Sequence, residues 1–193
     1  IPFKALGLKY PTDVECSIGT IFTKMWSPDY YPEGCPPSSS VSLHFDATEK
    51  NNGPIQMTWS DGGIRPFHPD LLPADVSIED NGVFMIGDKG LIVCDAYGND
   101  PKLYRKGESV IEGEKIKVTE PEFGHQRQWV DACKAGFNSP EHKSLTSSFD
   151  YSGPLTETVL MGNIAIRSYM LQEAGENSRS SNYIGRKKLL WDG

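Results

Sequence analysis

Val41-Ser42-Leu43-His44-Phe45 and Ile55-Gln56-Met57-Thr58-Trp59-Ser60, with Asn51-Asn52-Gly53 between them, decide the fold class of this chain. Apolar residues at 41, 43 and 45, and again at 55, 57 and 59, alternate with polar ones, the two-residue period of a half-buried strand. Asn and Gly tolerate positive φ, so the intervening segment reads as the turn of an antiparallel hairpin.

The same period extends upstream. From Asp13 to Phe22, Val14, Cys16 and Ile18 point one way, and Glu15 and Ser17 the other. A loop heavy in Pro, Gly and Ser runs from Ser27 to Ser39. Downstream, residues 61–82 are turn-rich around Asp61-Gly62-Gly63, Pro66, Pro69 and Pro73. Gly82 to Ile86 and Leu91 to Cys94 form a second hairpin, turning at Gly87-Asp88-Lys89-Gly90. These two runs are nearly continuous in apolar residues and are expected to be the best-buried strands. Lys102 to Tyr104 adds a short strand.

The last third changes period. Thr119-Glu120-Pro121-Glu122 has capping-box spacing, and a helix is expected through Gln128, Trp129, Val130, Ala132 and Cys133, stopping at Gly136. Trp129 is expected in the core. A clearer helix begins near Ser152 and Pro154, with Leu155, Val159, Gly162, Ile166 and Met170 on one stripe. Gly162 on that stripe suggests close approach to another backbone. Residues 172–183 are polar and expected to be mobile, and Leu189, Leu190 and Trp191 can close the sheet.

Strands and helices are thus segregated, which predicts an α+β fold: a large, mainly antiparallel, open-faced sheet with helices packed on one face. The second face of that sheet carries Ser, Thr, Gln and Glu among apolar residues. It is open to water or to a second subunit. One domain is expected over 1–193.

Composition removes several function classes. The net charge is −7 and the pI about 5.1, which argues against nucleic acid, since phosphate binding needs clustered Lys and Arg. The basic run Arg186-Lys187-Lys188 reads as a solvated strand edge. No apolar stretch approaches the roughly 20 residues of a membrane span. Cys16, Cys35, Cys94 and Cys133 stand far apart with no CxxC, which argues against a zinc site. Cys16, Cys94 and Cys133 lie in apolar contexts and read as core residues, Cys35 as a loop residue; a disulfide is left open. The histidines His44, His68, His125 and His142 are scattered, and no metal site is expected.

No GxGxxG opens a helix after a strand, and no GxxxxGK[ST], HExxH or GxSxG is present, so no dinucleotide-binding or self-contained catalytic motif is found. The segment with the most functional character is Thr58-Trp59-Ser60-Asp61-Gly62-Gly63-Ile64-Arg65-Pro66-Phe67-His68-Pro69. A strand there ends in a Gly-Gly turn bearing Trp59, Asp61, Arg65 and His68, and strand-end loops concentrate binding groups. Asp61 and Arg65 can hydrogen-bond sugar hydroxyls while Trp59 stacks on a sugar's apolar face. Alternatively Asp61 caps the turn, Arg65 pairs with an acid and Trp59 is core. A second candidate, Trp26-Ser27-Pro28-Asp29-Tyr30-Tyr31-Pro32, offers Trp26, Tyr30 and Tyr31 as a stiff carbohydrate platform. Its alternative is that these rings fold back on the sheet or fill a subunit interface.

Several segments, in collinear order over nearly the whole chain, resemble one family. They are Pro2-Phe3-Lys4-Ala5-Leu6-Gly7-Leu8-Lys9-Tyr10-Pro11, the Trp59-to-Pro69 loop, Asn81-Gly82-Val83 through Gly87-Asp88-Lys89-Gly90, and His125 through Cys133. The most specific is Phe149-Asp150-Tyr151-Ser152-Gly153-Pro154-Leu155-Thr156-Glu157-Thr158-Val159-Leu160-Met161-Gly162-Asn163, followed by Lys188-Leu189-Leu190-Trp191-Asp192-Gly193. The set is similar to the C-terminal domain of the Gfo/Idh/MocA oxidoreductases (glucose–fructose oxidoreductase, inositol dehydrogenase, rhizopine catabolism), in their bacterial secreted-type branch.

The resemblance implies a substrate-side and oligomerisation domain whose partner is an N-terminal Rossmann domain absent from this chain. NAD or NADP would be held by that domain, so no cofactor-binding residue is expected here. The family's Asp/His motif would lie just before Ile1, so no catalytic residue is expected here either, and His125 matches a different family position. The parent would move a hydride between a sugar or polyol carbon and the nicotinamide; a glycosidase working by transient oxidation and elimination is the alternative for the parent. A stand-alone carbohydrate-binding or assembly module is the alternative for the chain. The resemblance also implies that the isolated chain is inactive, that a homo-oligomer forms through the sheet, that the chain is shortened at both ends, and that the parent is periplasmic or secreted.

Overall fold

A computed structural model describes residues 1–29, 32–113, 124–172 and 183–191. The elements in chain order are α1 (Pro2–Ala5), β1 (Asp13–Ile18), β2 (Phe22–Lys24), β3 (Ser27–Pro28), β4 (Ser39–Phe45), β5 (Ile55–Asp61), β6 (Gly82–Gly87), β7 (Gly90–Asp95), β8 (Lys102–Tyr104), β9 (Ile111–Glu112), α2 (Gly124–Ala135), α3 (Pro140–Lys143), α4 (Phe149–Ser168) and β10 (Leu189–Leu190), with a 3-10 turn at Ile184–Arg186 before the last. The class is α+β with antiparallel pairing throughout the described strands. The described strands do not form one large sheet. They make a central sheet ordered β10-β1-β4-β5, a second sheet ordered β6-β7-β8-β9, and a β2-β3 ribbon.

The central sheet holds the main core. In β4 the residues Ser39, Val41, Leu43 and Phe45 are all buried, and those between them are only partly so. Register places Val14 and Cys16 beside Leu43 and Val41, and Met57 and Trp59 on their other side. That face is roofed by α4, whose buried residues Thr158, Met161, Gly162 and Ala165 recur at the three- and four-residue spacing of one helical face. Phe3 of α1 joins the same core cluster and meets Tyr151 of α4 edge-on, with ring centroids 6.0 Å apart.

The opposite face is polar over three strands, with Asp13, Glu15 and Ser17 on β1, Ser40, Ser42 and His44 on β4, and Gln56, Thr58 and Ser60 on β5; exposed Leu190 of β10 lies beside Asp13 on it. There His44 Nδ1 lies 2.5 Å from Asp13 Oδ1, and Lys188 Nζ 3.4 Å from the same oxygen. The group ties β4, β1 and the lead-in to β10 together. Burial pushes the Asp13 carboxyl up, but the His44 bond and the charges of His44 and Lys188 outweigh it and hold it below its usual value.

Several expectations are corrected. The best-buried strand is β4, not β6 or β7: in the second hairpin only Leu91 and Cys94 are fully buried and Ile86 is 65% exposed. A continuous apolar run becomes doubly buried only when layers cover both its faces, and the main core cluster contains no residue of this hairpin. The buried stripe of α4 runs through Thr158, Met161 and Ala165, while Val159 is exposed. The helix turns its small residues inward because that lets it sit close on β4, and a Cβ at Gly162 would stand 3.4 Å from the Val41 side chain. Gly162 thus approaches a side chain rather than a backbone.

Trp129 and Cys133 are exposed rather than core. In α2 only Ala132 is buried, and the neighbour that α2 packs against is the short α3, too small to cover a full helical face. The first hairpin forms in the expected register, Phe45 opposite Ile55. Its connection is the longer loop 46–54, though, and neither Asn51 nor Gly53 takes positive φ; Asn51 instead bonds Thr48 through backbone and side chain. β1 ends at Ile18, earlier than the expected Phe22, which opens the β2-β3 ribbon. The expected stop at Gly136 is present, at φ 89°, and β10 pairs with β1 to close the central sheet. The Thr119–Glu122 capping box and most of the segment expected to be mobile lie outside the described residues.

Candidate functional site

The edge strand β5 ends where the strongest sequence candidates begin. Asp61 pairs across the sheet with Ser39, the first residue of β4. The Ser39 N–H and hydroxyl both donate to Asp61 Oδ1, at 2.7 and 2.9 Å, and the Trp59 indole N–H donates to Oδ2 at 3.2 Å. Desolvation pushes the Asp61 carboxyl up, but these bonds outweigh it and hold it below its usual value. Asp61 is therefore a buckle between strands; its side-chain bonds run to Ser39 and Trp59, and not to the Gly-Gly turn that a cap would bond.

The chain can turn sharply after this buckle because Gly62 and Gly63 take φ of 62° and 89°. A Cβ at Gly62 would lie 2.1 Å from the Pro37 carbonyl oxygen, so only glycine fits. This close crossing locks the end of β5 against the start of β4.

Trp59 departs from its structural alternative. It is 65% exposed, and its one polar atom is already committed to Asp61. The indole is thus oriented while its ring stays accessible. On an exposed strand end, such a ring can stack on the apolar face of a flat or cyclic ligand, and groups held in place by neighbours lose less entropy on binding.

Arg65 and His68 do not join Trp59 and Asp61. Arg65 donates from Nη1 to the Ile78 carbonyl at 2.9 Å and pairs with Asp80. His68 Nε2 lies 2.9 Å from the Val76 carbonyl; a carbonyl can only accept, so that nitrogen carries the hydrogen. Both side chains bind the two limbs of the 62–81 loop to each other. Sequence reasoning named the acid partner of Arg65 as a type but had no signal for which acid, since the pair forms across a loop.

Trp26 sits at the tip of the β2-β3 ribbon, 88% exposed, with φ 63°. Tyr30 and Tyr31 lie outside the described residues, so the three-ring platform is represented here by Trp26. The Pro-rich segment that follows does wall a cavity of about 340 Å³, with Ile18, Ile21, Pro36, Ile166 and Leu171 among its lining and Cys35 at its edge.

One buried polar residue escaped the sequence reading. Thr158 donates from its hydroxyl toward the Pro154 carbonyl (2.8 Å) and the Lys9 carbonyl (3.2 Å), fastening α4 to the segment before β1. Its neighbour Glu157 accepts the Trp191 indole N–H at 2.9 Å. The Thr-Glu pair in the sequence carried no sign of partners 149 and 34 positions away.

Among the described residues no group of His, Cys, Asp and Glu could hold a metal ion. No described helix is long and apolar enough to cross a membrane. The described strand pairs are all antiparallel, so the described residues build no βαβ unit. No family model matches the chain, and no match was found among curated proteins.

Proposed function

We propose that this chain is the substrate-side domain of a nicotinamide-dependent oxidoreductase acting on a sugar or polyol hydroxyl, with the Trp59–Asp61 corner forming part of the wall against which the sugar lies. The reading joins the collinear Gfo/Idh/MocA-like segments to one observation that carries it: an exposed indole at a strand end, held in orientation through Asp61 and Ser39. The α+β class and the open polar sheet face support it. The finer architecture of that family's C-terminal domain, and a second copy packed on the polar face, belong to the same proposal.

Catalysis in this reading needs groups from another domain, which would hold the dinucleotide. This chain's part is to position: Trp59 presents an apolar ring, and the buckle at Asp61 keeps that ring from folding away. Exposed Trp129 on α2 and Phe137 after it are apolar surface of the kind a neighbouring domain covers.

The test is a pair of titrations on the purified chain. With NAD(H) and NADP(H), no binding is expected in the micromolar range; micromolar binding would overturn the division of labour. Against a glycan array, no sugar is expected to bind tightly without the second domain. Firm binding that Trp59→Ala abolishes would instead establish the chain as a carbohydrate-binding module, a reading to which exposed Trp26 also lends support.

A further inference from the structure

The β2-β3 ribbon projects as a finger. Ile21, Phe22, Met25 and Trp26 are all exposed, Met25 and Trp26 almost entirely. Trp26 also holds φ 63°, in the left-handed region that a bulky side chain rarely occupies without a reason elsewhere. The tip therefore carries two costs in the free chain, an unfavourable backbone and an unburied indole. Beside it Lys24 forms no ion pair with the described residues.

A receptor of matching character lies on α4. Beyond its buried stripe, α4 shows a second apolar surface through Phe149, Leu160 and Ile164. With Gly153, Glu157 and Trp191 these line an open groove of about 440 Å³. A helix that is apolar on more than one face is normally covered on more than one face. The finger does not fill this groove in its own chain. Ile21 at its base lines the other cavity, which shares Ile164 with the groove, and Trp26 remains exposed.

We propose that the finger of one copy of this chain inserts Met25 and Trp26 into the α4 groove of a second copy, with Lys24 facing Glu157. Apolar tip meets apolar groove, and among the described residues the cation at the tip, Lys24, meets the carboxylate on the groove wall, Glu157. A lipid surface is the less suitable host: the chain's net charge of −7 opposes approach to anionic headgroups. The contact does not depend on the sugar-oxidoreductase reading: ligand titrations test that reading, while loss and restoration of association by finger and groove variants separate this contact from a copy packed on the polar face.

Sedimentation velocity on Trp26→Ser and Gly153→Phe tests it. Position 153 has open space for a side chain, with nothing within 4 Å of a Cβ, so Gly153→Phe plugs the groove without disturbing the fold. Each variant alone is expected to raise the self-association constant for dissociation at least about tenfold, the scale of losing a buried aromatic anchor. Mixed one to one, they are expected to associate again, because the intact finger of Gly153→Phe meets the intact groove of Trp26→Ser. Lys24→Glu is expected to weaken wild-type association, and more so at low salt. A wild-type chain that stays monomeric at the highest concentration overturns the proposal. So does association that both variants leave unchanged, or a mixture that fails to associate. Tight, Trp26-dependent binding to phosphatidylcholine–phosphatidylglycerol vesicles would transfer the finger to a membrane and likewise overturn it.

Discussion

The central sheet and the second sheet are built from the same local pattern and end in different states. Both are antiparallel hairpins of apolar strands, β4-β5 in one and β6-β7 in the other. β4 alternates strictly between buried and partly buried positions beneath α4. β6 and β7, richer in consecutive apolar residues, leave Ile86 and Ile92 exposed. Strand pairing satisfies the backbone in both, but it buries side chains in neither; a second layer does that. In the central sheet α4 is that layer, and its small inward residues let it come close enough to serve.

The comparison is most directly broken by truncating one residue on each side of it. Met161→Ala, at the α4–β4 contact, is expected to cost about 2–5 kcal/mol, the range for emptying a packed core site. Ile86→Ala in the second sheet is expected to stay within about 0.5 kcal/mol. Equal losses in chemical denaturation would show that the second sheet shares the main core.

The turn at the end of β5 comes next. Gly62→Ala adds a Cβ to a position with φ 62° and the Pro37 carbonyl 2.1 Å away. A loss of more than about 1 kcal/mol is expected, with a shift in Trp59 fluorescence as the Asp61 buckle opens. Unchanged stability and fluorescence would mean that the strand end is not locked there.

The cysteines sharpen the same contrast. Burial pushes the Cys16 thiol up to about 11, and Cys94 is also raised, by burial and then by the Asp95 charge. Only the thiolate is alkylated readily. Exposed Cys35 and Cys133 are therefore expected to react with iodoacetamide first. Under rising denaturant Cys94 should label before Cys16, because the sheet outside the main core opens at lower cost. Simultaneous labelling would indicate one cooperative unit.

The smallest effect concerns acid. Asp13 and Asp61 are held below the ordinary carboxylate value. A carboxylate with a lowered folded-state pKa contributes stability that is fully present above its unfolded value and is lost as pH falls through the folded one. Stability to unfolding should fall steadily below about pH 4 in the native chain. Asp13→Asn should flatten that slope, and a slope unchanged in this variant would remove the Asp13 cluster from the acid response.

Much of this was legible in the chain itself. Alternation at Val41, Leu43 and Phe45 located the central hairpin and its inward face. Gly87-Asp88-Lys89-Gly90 located the second turn, and Gly136 the end of α2. The site was partly legible: Arg65 implied an acid partner, while the cap expected at the Gly-Gly turn did not foretell that Asp61 bonds Ser39 across the sheet. Trp59 was ambiguous, because a tryptophan in an alternating strand has the same pattern whether a layer covers it or stops short of it. Trp129 misled for the same reason.

The sequence by itself determined the periods, the turns and the segregation of strands from helices, since these follow from the conformational preferences of single residues and their near neighbours. Only the tertiary structure decided that the described strands divide into two four-stranded sheets and a ribbon, that α4 turns Met161 and Ala165 rather than Val159 toward β4, and that Asp61 reaches back to Ser39 while Arg65 reaches forward to Asp80. Those outcomes depend on which surfaces compete to bury one another across long stretches of chain, and no local pattern records the result of that competition.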